Sequence, residues 1–249
     1  MIIFLTEKSL SGILSALYRA FTLNVFPDDV KEKSFPCRTL TDEYITIDSE
    51  PNSEKRVKDA VLKYGGERSL SAVKVCLLSC DENALKYAFG FLKLTLNNKQ
   101  CELENLSEKA VTDFLYCTNK VLFERHRFTG FLRFKETENG ILYAPYSPDN
   151  DITRLLMPHF ISRLSLIPFV IHDLKRKTVG ISDGKTFKMI NTDAVADLRL
   201  SDDEKDCERL FRSYYNSVNI KERKNLKQQD NFLPRRYRKN MPETFEKPD

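Results

Sequence analysis

The apolar positions change period along the chain, and the changes mark out its elements. Ile2 to Leu5 is an unbroken apolar run, as in a short buried strand, and Leu10, Ile13, Leu14, Leu17, Tyr18 and Phe21 then recur at the spacing of one helical face. A strand is predicted at Tyr44 to Ile47. Ser53 is placed to cap a helix to about Tyr64, with Gly65-Gly66 as its stop. Further helical patterns cover Ser69 to Leu78, Glu82 to Leu96 and Ser107 to Glu124, the last with Val111, Phe114, Leu115, Thr118 and Leu122 along its stripe.

After His126 the period shortens. In RFTGFLRFKE, Phe128, Gly130, Leu132 and Phe134 alternate with Arg127, Thr129, Phe131 and Arg133, and GILYAPY follows a Glu-Asn-Gly turn, which predicts a β-hairpin. A short helix from Ile152 to Ile161 precedes strands at Phe169 to Leu174, Thr178 to Ser182 and Lys185 to Ile190, the last two joined through Asp183-Gly184. From Ser201 the helical period returns, with Leu210, Phe211, Tyr214, Tyr215 and Val218 turned inward. A polar helix over Lys221 to Gln229 follows, and beyond Pro234 the chain should be extended. The expected fold is α+β: a central antiparallel sheet of about five strands, an N-terminal helical half and C-terminal helices. Segments 1–125, 126–200 and 201–249 are read as parts of one compact unit.

Charge is unevenly spread. Between Glu208 and Glu243 ten Lys/Arg face four Asp/Glu, a net +6, so this segment more than accounts for the whole-chain +4. Such a basic block with interleaved Tyr, Asn and Gln suits a surface that meets phosphates. No apolar run approaches the ~20 residues that span a bilayer. MIIFL lacks the basic region and cleavage site of a signal peptide, so a cytoplasmic protein with reduced cysteines is expected. The six cysteines lack zinc-site spacing; Cys76 and Cys80 are read as packing residues, because Asn83 stands where a cluster loop would need its third thiolate.

Within PRRYRKN, Arg235, Arg236, Arg238 and Lys239 surround Tyr237 beside Asn240. Arg forks grip phosphate oxygens and Tyr stacks on an unpaired base, although the arginines could instead pair with acids at Asp202 to Asp206. Arg223 and Lys227 would share one face of the polar helix. Arg127 and Arg133 would project from one face of a strand, with His126 on the other. His159 and Arg163, four apart, could contact a phosphate or a partner. His126, His159 and His172, with Asp173, are the candidate catalytic residues, and none of the histidines has metal-ligand spacing to another. Asp149 and Asp151 read as a turn or cap. No hydrolase, P-loop, zincin or nuclease motif is present, and no cofactor is implied.

HRFTGFLRF at 126–134, DNDITRLLMPHFISRLSLIPFVIHDLKR at 149–176 and NIKERKNLKQQDNFLPRRYRKNMPE at 219–243 resemble a family of bacterial DNA-metabolism proteins of unknown reaction, encoded beside a radical-SAM protein of DNA repair or modification. In some relatives the module is fused to a uracil-DNA-glycosylase-like domain, an activity that a partner would have to supply here. The resemblance implies a DNA-binding accessory protein with DNA and the radical-SAM protein as partners, and the lack of a spanning apolar run implies no membrane association. Two alternatives stay open: an enzyme in its own right, nuclease or glycosylase-like, or a module that binds the partner enzyme through its basic tail.

Overall fold

A computed structural model describes residues 1–35, 39–49, 51–192, 199–218, 220, 223 and 225–244, for 202, 216 and 244 the backbone alone. Cys37, Lys221, Glu222 and Lys224 lie outside the described residues. Contacts divide the chain into two compact units, Met1–Phe123 and Glu124–Asp249.

In the first unit, β1 (Ile2–Thr6) is the middle strand of a parallel sheet ordered β2-β1-β3, with β2 at Asp29–Glu32 and β3 at Glu43–Thr46. Phe4, Leu5 and Thr6 are fully buried, as a middle strand covered on both faces requires. The polar sequence of β2, DVKE, explains why it escapes a hydrophobic reading. Helix α1 (Leu10–Leu23) is capped by Ser9, whose Oγ accepts from Gly12 N at 3.0 Å, and ends at Asn24 in the left-handed region. Helix α2 (Pro51–Cys76) contains the expected stop as a break instead: Gly66, at φ 71 and ψ 177, interrupts it and the helix resumes. Ser53 lies buried inside that helix. Cys76 is buried at its end, while Cys80 beyond it is exposed. Helices α3 (Ala84–Asn98) and α4 (Lys109–Phe131) meet through Phe91 and Phe114, stacked at 4.2 Å.

In the second unit, five strands form a sheet in the order β4-β5-β6-β7-β8: Lys135–Glu136, Leu142–Tyr146, Phe169–Asp173, Thr178–Ser182 and Phe187–Asn191. The strand count matches the expectation, but the sheet is mixed. Strands β5 and β6 are parallel, Ala144 beside Ile171 and Tyr146 beside Asp173, because helix α5 (Thr153–Leu164) carries the chain back between them. The other neighbours are antiparallel. Ala144, Phe169 and Ile171 are fully buried, as are Leu156 and Met157 of α5. Gly180 leaves room for Met157, whose Sδ would lie 2.5 Å from a Cβ there.

The hairpin expected from Arg127 is reduced to the two residues of β4 against β5, and residues 126–131 are the last turns of α4. Val111, Phe114, Cys117, Val121, Glu124, Phe128 and Leu132 are buried at intervals of three and four, a helical stripe that outweighs the short alternation. Helix α6 (Asp202–Val218) follows the sheet. Its expected inward face is not covered: Leu210, Phe211, Tyr214 and Val218 are 66%, 41%, 62% and 54% exposed. Acids dock the helix instead, Glu204 Oε2 accepting from Glu136 N at 2.9 Å and Glu208 pairing with Lys135 at 2.6 Å. Helix α7 (Leu226–Phe232) starts at an Asn225 cap, so Arg223 precedes it and does not share its face with Lys227. Residues Arg235–Asn240 form a 3-10 turn, not an extended segment, with Tyr237 N donating to Pro234 O at 3.0 Å.

Candidate nucleic-acid interface

Tyr237 explains why the basic segment turns. Its side chain is 6% exposed, its ring meets Phe128 edge-on at 4.8 Å, and its hydroxyl lies 2.7 Å from Glu124 Oε1 and 3.0 Å from Asp149 Oδ2. Burial, and then the Glu124 carboxylate beside it, push the phenol well above its usual range, so it is a donor near neutral pH. Glu124 is the hub. Buried on the α4 stripe, it accepts from Asp149 N at 2.6 Å, Asn150 N at 2.7 Å and Asn150 Nδ2 at 2.5 Å besides the phenol. The 148–150 loop is held from its other side by Arg176, which donates to Pro148 O at 3.2 Å, to Asp149 O, and to the fully buried Asp173 at 2.9 Å.

The arginines of the turn divide between two acids, Asp149 and Asp230. Arg236 Nε donates to Asp149 Oδ2 at 2.8 Å with its guanidinium 4.7 Å over the Tyr237 ring, yet its side chain stays 59% exposed. Arg235 pairs with Asp230 at 2.9 Å and is 77% exposed. Arg238 is a brace, 19% exposed, reaching Asp230 at 2.6 Å and Leu233 O at 2.8 Å. Among the described residues the acids used are Asp230 and Asp149; the Asp202 side chain lies outside them. Lys239 is exposed and Asn240 half-buried. Tyr237 is an anchor whose buried ring is not presented for base stacking, a correction to its expected role.

The model of a domain family of unknown function, DUF4130, matches residues 82–243. The chain belongs to that family. No curated protein matches it. The DUF4130 match takes in α3, α4 and the described second unit to Glu243, hence the whole Glu124 network; β1 to β3, α1 and α2 precede it.

Elsewhere in the DUF4130 region the expected site residues are scattered. Arg127 and His126 are exposed on the last turns of α4, so the shared strand face expected for Arg127 and Arg133 does not exist. Arg133 follows that helix and donates through Nε and Nη2 to Glu243 Oε1 at 3.0 and 2.5 Å. Arg163 is exposed on α5, Lys227 on α7, and Arg223 before it. His172 is buried on β6, its Nδ1 2.8 Å from the Tyr143 hydroxyl, and burial lowers its pKa. Asp173, its neighbour, accepts from Lys175 N, Arg176 N and Arg176 Nη1, so it braces a turn. His126, His159 and His172 stand on α4, α5 and β6, and among the described residues no three His, Cys, Asp or Glu gather as metal ligands. Glu124 and Arg176 were not singled out in the sequence. The signal for Glu124 was a lone acid falling in step with an apolar helical stripe.

Proposed function

We propose that this protein is a DNA-binding accessory factor of DNA repair or modification, holding a strand for a separate radical-SAM enzyme. The observation that carries the reading is the anchored basic turn. Tyr237 fixes Arg235–Asn240 while Arg235 and Arg236 remain 77% and 59% exposed, so cations are presented without the ordering cost of a free tail. Lys239, Arg163, Arg127, Arg223 and Lys227 add exposed charge. The radical-SAM partner rests on the sequence resemblance alone.

Binding of single- and double-stranded oligonucleotides across a salt series tests this, using the full chain and a variant with Arg235→Gln, Arg236→Gln and Lys239→Gln. Arg238 is left in place because it braces the turn. Affinity should fall steeply with salt, and the variant's log–log slope should shrink by about two to three, at ~0.7–0.9 per lost phosphate contact. Failure of the unaltered chain to bind any DNA at low salt overturns the reading. A second reading, a protein-interaction module, draws on the apolar stripe that α6 leaves exposed. In that case the chain would capture the partner enzyme and ignore DNA.

A further inference from the structure

Away from the anchored turn, a second group of cations meets at the rim between the end of α4 and helix α5. Leu155, His159 and Arg163 stand four apart on α5, so they form a row along one side, with side chains about 5–6 Å apart. Arg125 joins this row from α4, its Nε donating to Leu155 O at 3.2 Å. The result is an arginine at each end of the row and an imidazole between them. The His159 ring meets Phe160 edge-on at 5.0 Å, and its Nε2 is shielded from solvent without any hydrogen-bond partner. Among the described residues neither Arg125 nor Arg163 pairs with a carboxylate. This contrasts with the arginines of the C-terminal turn, each of which has one.

Such a group is costly as it stands. An orphaned, covered ring nitrogen forfeits its hydration without a replacement, and two guanidiniums beside an imidazole repel its charged form. Burial first, and then Arg163 and Arg125, hold the His159 pKa below its usual value. The charged groups that act on it are thus one cation from α5 itself and one from α4. An anion between them would remove both costs, offering acceptors to three donors and charge to match.

We infer that Arg125, His159 and Arg163 form a subsite for a phosphate group. Its anion is tetrahedral and multiply charged, and it accepts bidentate Arg forks together with an imidazolium N–H. That this phosphate belongs to a DNA strand rests on the function proposed above. Arg163 is exposed and His159 half-buried, so side-chain rotation at the rim opens the orphan nitrogen to the ligand.

The three histidines of the chain make the test direct. Imidazole resonances of the full-length protein are followed by NMR through a pH titration in chloride, in inorganic phosphate at equal ionic strength, and with a short single-stranded oligonucleotide. His159→Gln assigns the signal, and His126 and His172 serve as internal references. Phosphate should raise the His159 pKa relative to chloride and leave His172 in place, and Arg163→Gln should cut that rise by half or more. An unchanged His159 pKa in phosphate overturns the subsite. If the oligonucleotide binds but His159 does not respond to it or to phosphate, the subsite fails and the DNA reading survives. If phosphate moves His159 while no oligonucleotide binds, the subsite stands and the DNA reading falls. Oligonucleotides with and without a 5′-phosphate separate a terminal phosphate from an internal one, since only a terminal site prefers the phosphorylated end.

Discussion

Four donors converge on the buried carboxylate of Glu124, which makes it a residue whose chemistry rather than its size matters. Gln fits the same space but turns an N–H₂ toward Asp149 N and the Tyr237 hydroxyl, or toward the two Asn150 donors, so one pair meets a donor wherever the amide points. Glu124→Gln should destabilise by about 3 kcal/mol, because it removes a buried charge from its own donors. Tyr237→Phe keeps the Phe128 contact and loses the hydroxyl that Glu124 and Asp149 share, so about 1–2 kcal/mol is expected. Urea unfolding of both variants checks the ranking, and equal losses would mean that packing, not the network, holds the turn. Tyr237→Ala adds an assay of function. It leaves every cation in place but should free the Arg235–Asn240 turn and weaken the DNA binding proposed above several-fold, an outcome foreign to a tail that works by charge alone.

At the scale of elements, α6 is the sharpest departure from its pattern. Its stripe reads as an inward face, yet Leu210 and Tyr214 are 66% and 62% exposed because Glu204 and Glu208 dock the helix by polar contacts that periodicity does not register. Leu210→Ser together with Tyr214→Ser should therefore shift stability by no more than about 0.5 kcal/mol each, against the 2–5 kcal/mol expected of packed positions. Thermal unfolding distinguishes the two, and a large loss would place the stripe inside. Elements that follow one period were legible: β1, α1, α5 and the β7–β8 hairpin through Asp183-Gly184, where Gly184 has φ 87. The end of α4 was hidden because Glu124 interrupts the apolar stripe, leaving Phe128, Gly130 and Leu132 to read as a strand. The parallel pairing of β5 and β6 was implicit in a helix between two strands, while the Glu124 network joins positions as far as 113 residues apart and leaves no local pattern.

Across the whole molecule, acid titration should expose the histidines before the carboxylates. Burial lowers the pKa of both His159 and His172, so near pH 6 the unfolded chain binds more protons at these positions than the folded one, and folding must exclude them. The sign follows. Their contribution is fully present above the unfolded histidine value of about 6.5 and is lost as pH falls through the lower folded values. The carboxylates held low by hydrogen bonds, such as Glu102 bound by Asn105, Asn98 and Gln100, act only below about pH 4.5 and leave this window clear. In chloride, Tm should fall as the pH drops from 7.5 to 5.5. The two histidines are separable. His172 sits against Tyr143 with its pKa lowered by burial against the pull of Asp173, so its share persists in any buffer, whereas the share of His159 should vanish when phosphate fills the rim beside Arg125 and Arg163. Phosphate also stabilises folded chains by exclusion from their surface, and that effect is present at both pH values. The telling quantity is therefore the difference between the two pH-induced drops. The drop should be smaller in phosphate than in chloride for the unaltered chain and the same in both for His159→Gln; an equal drop in the unaltered chain would leave the rim without a ligand.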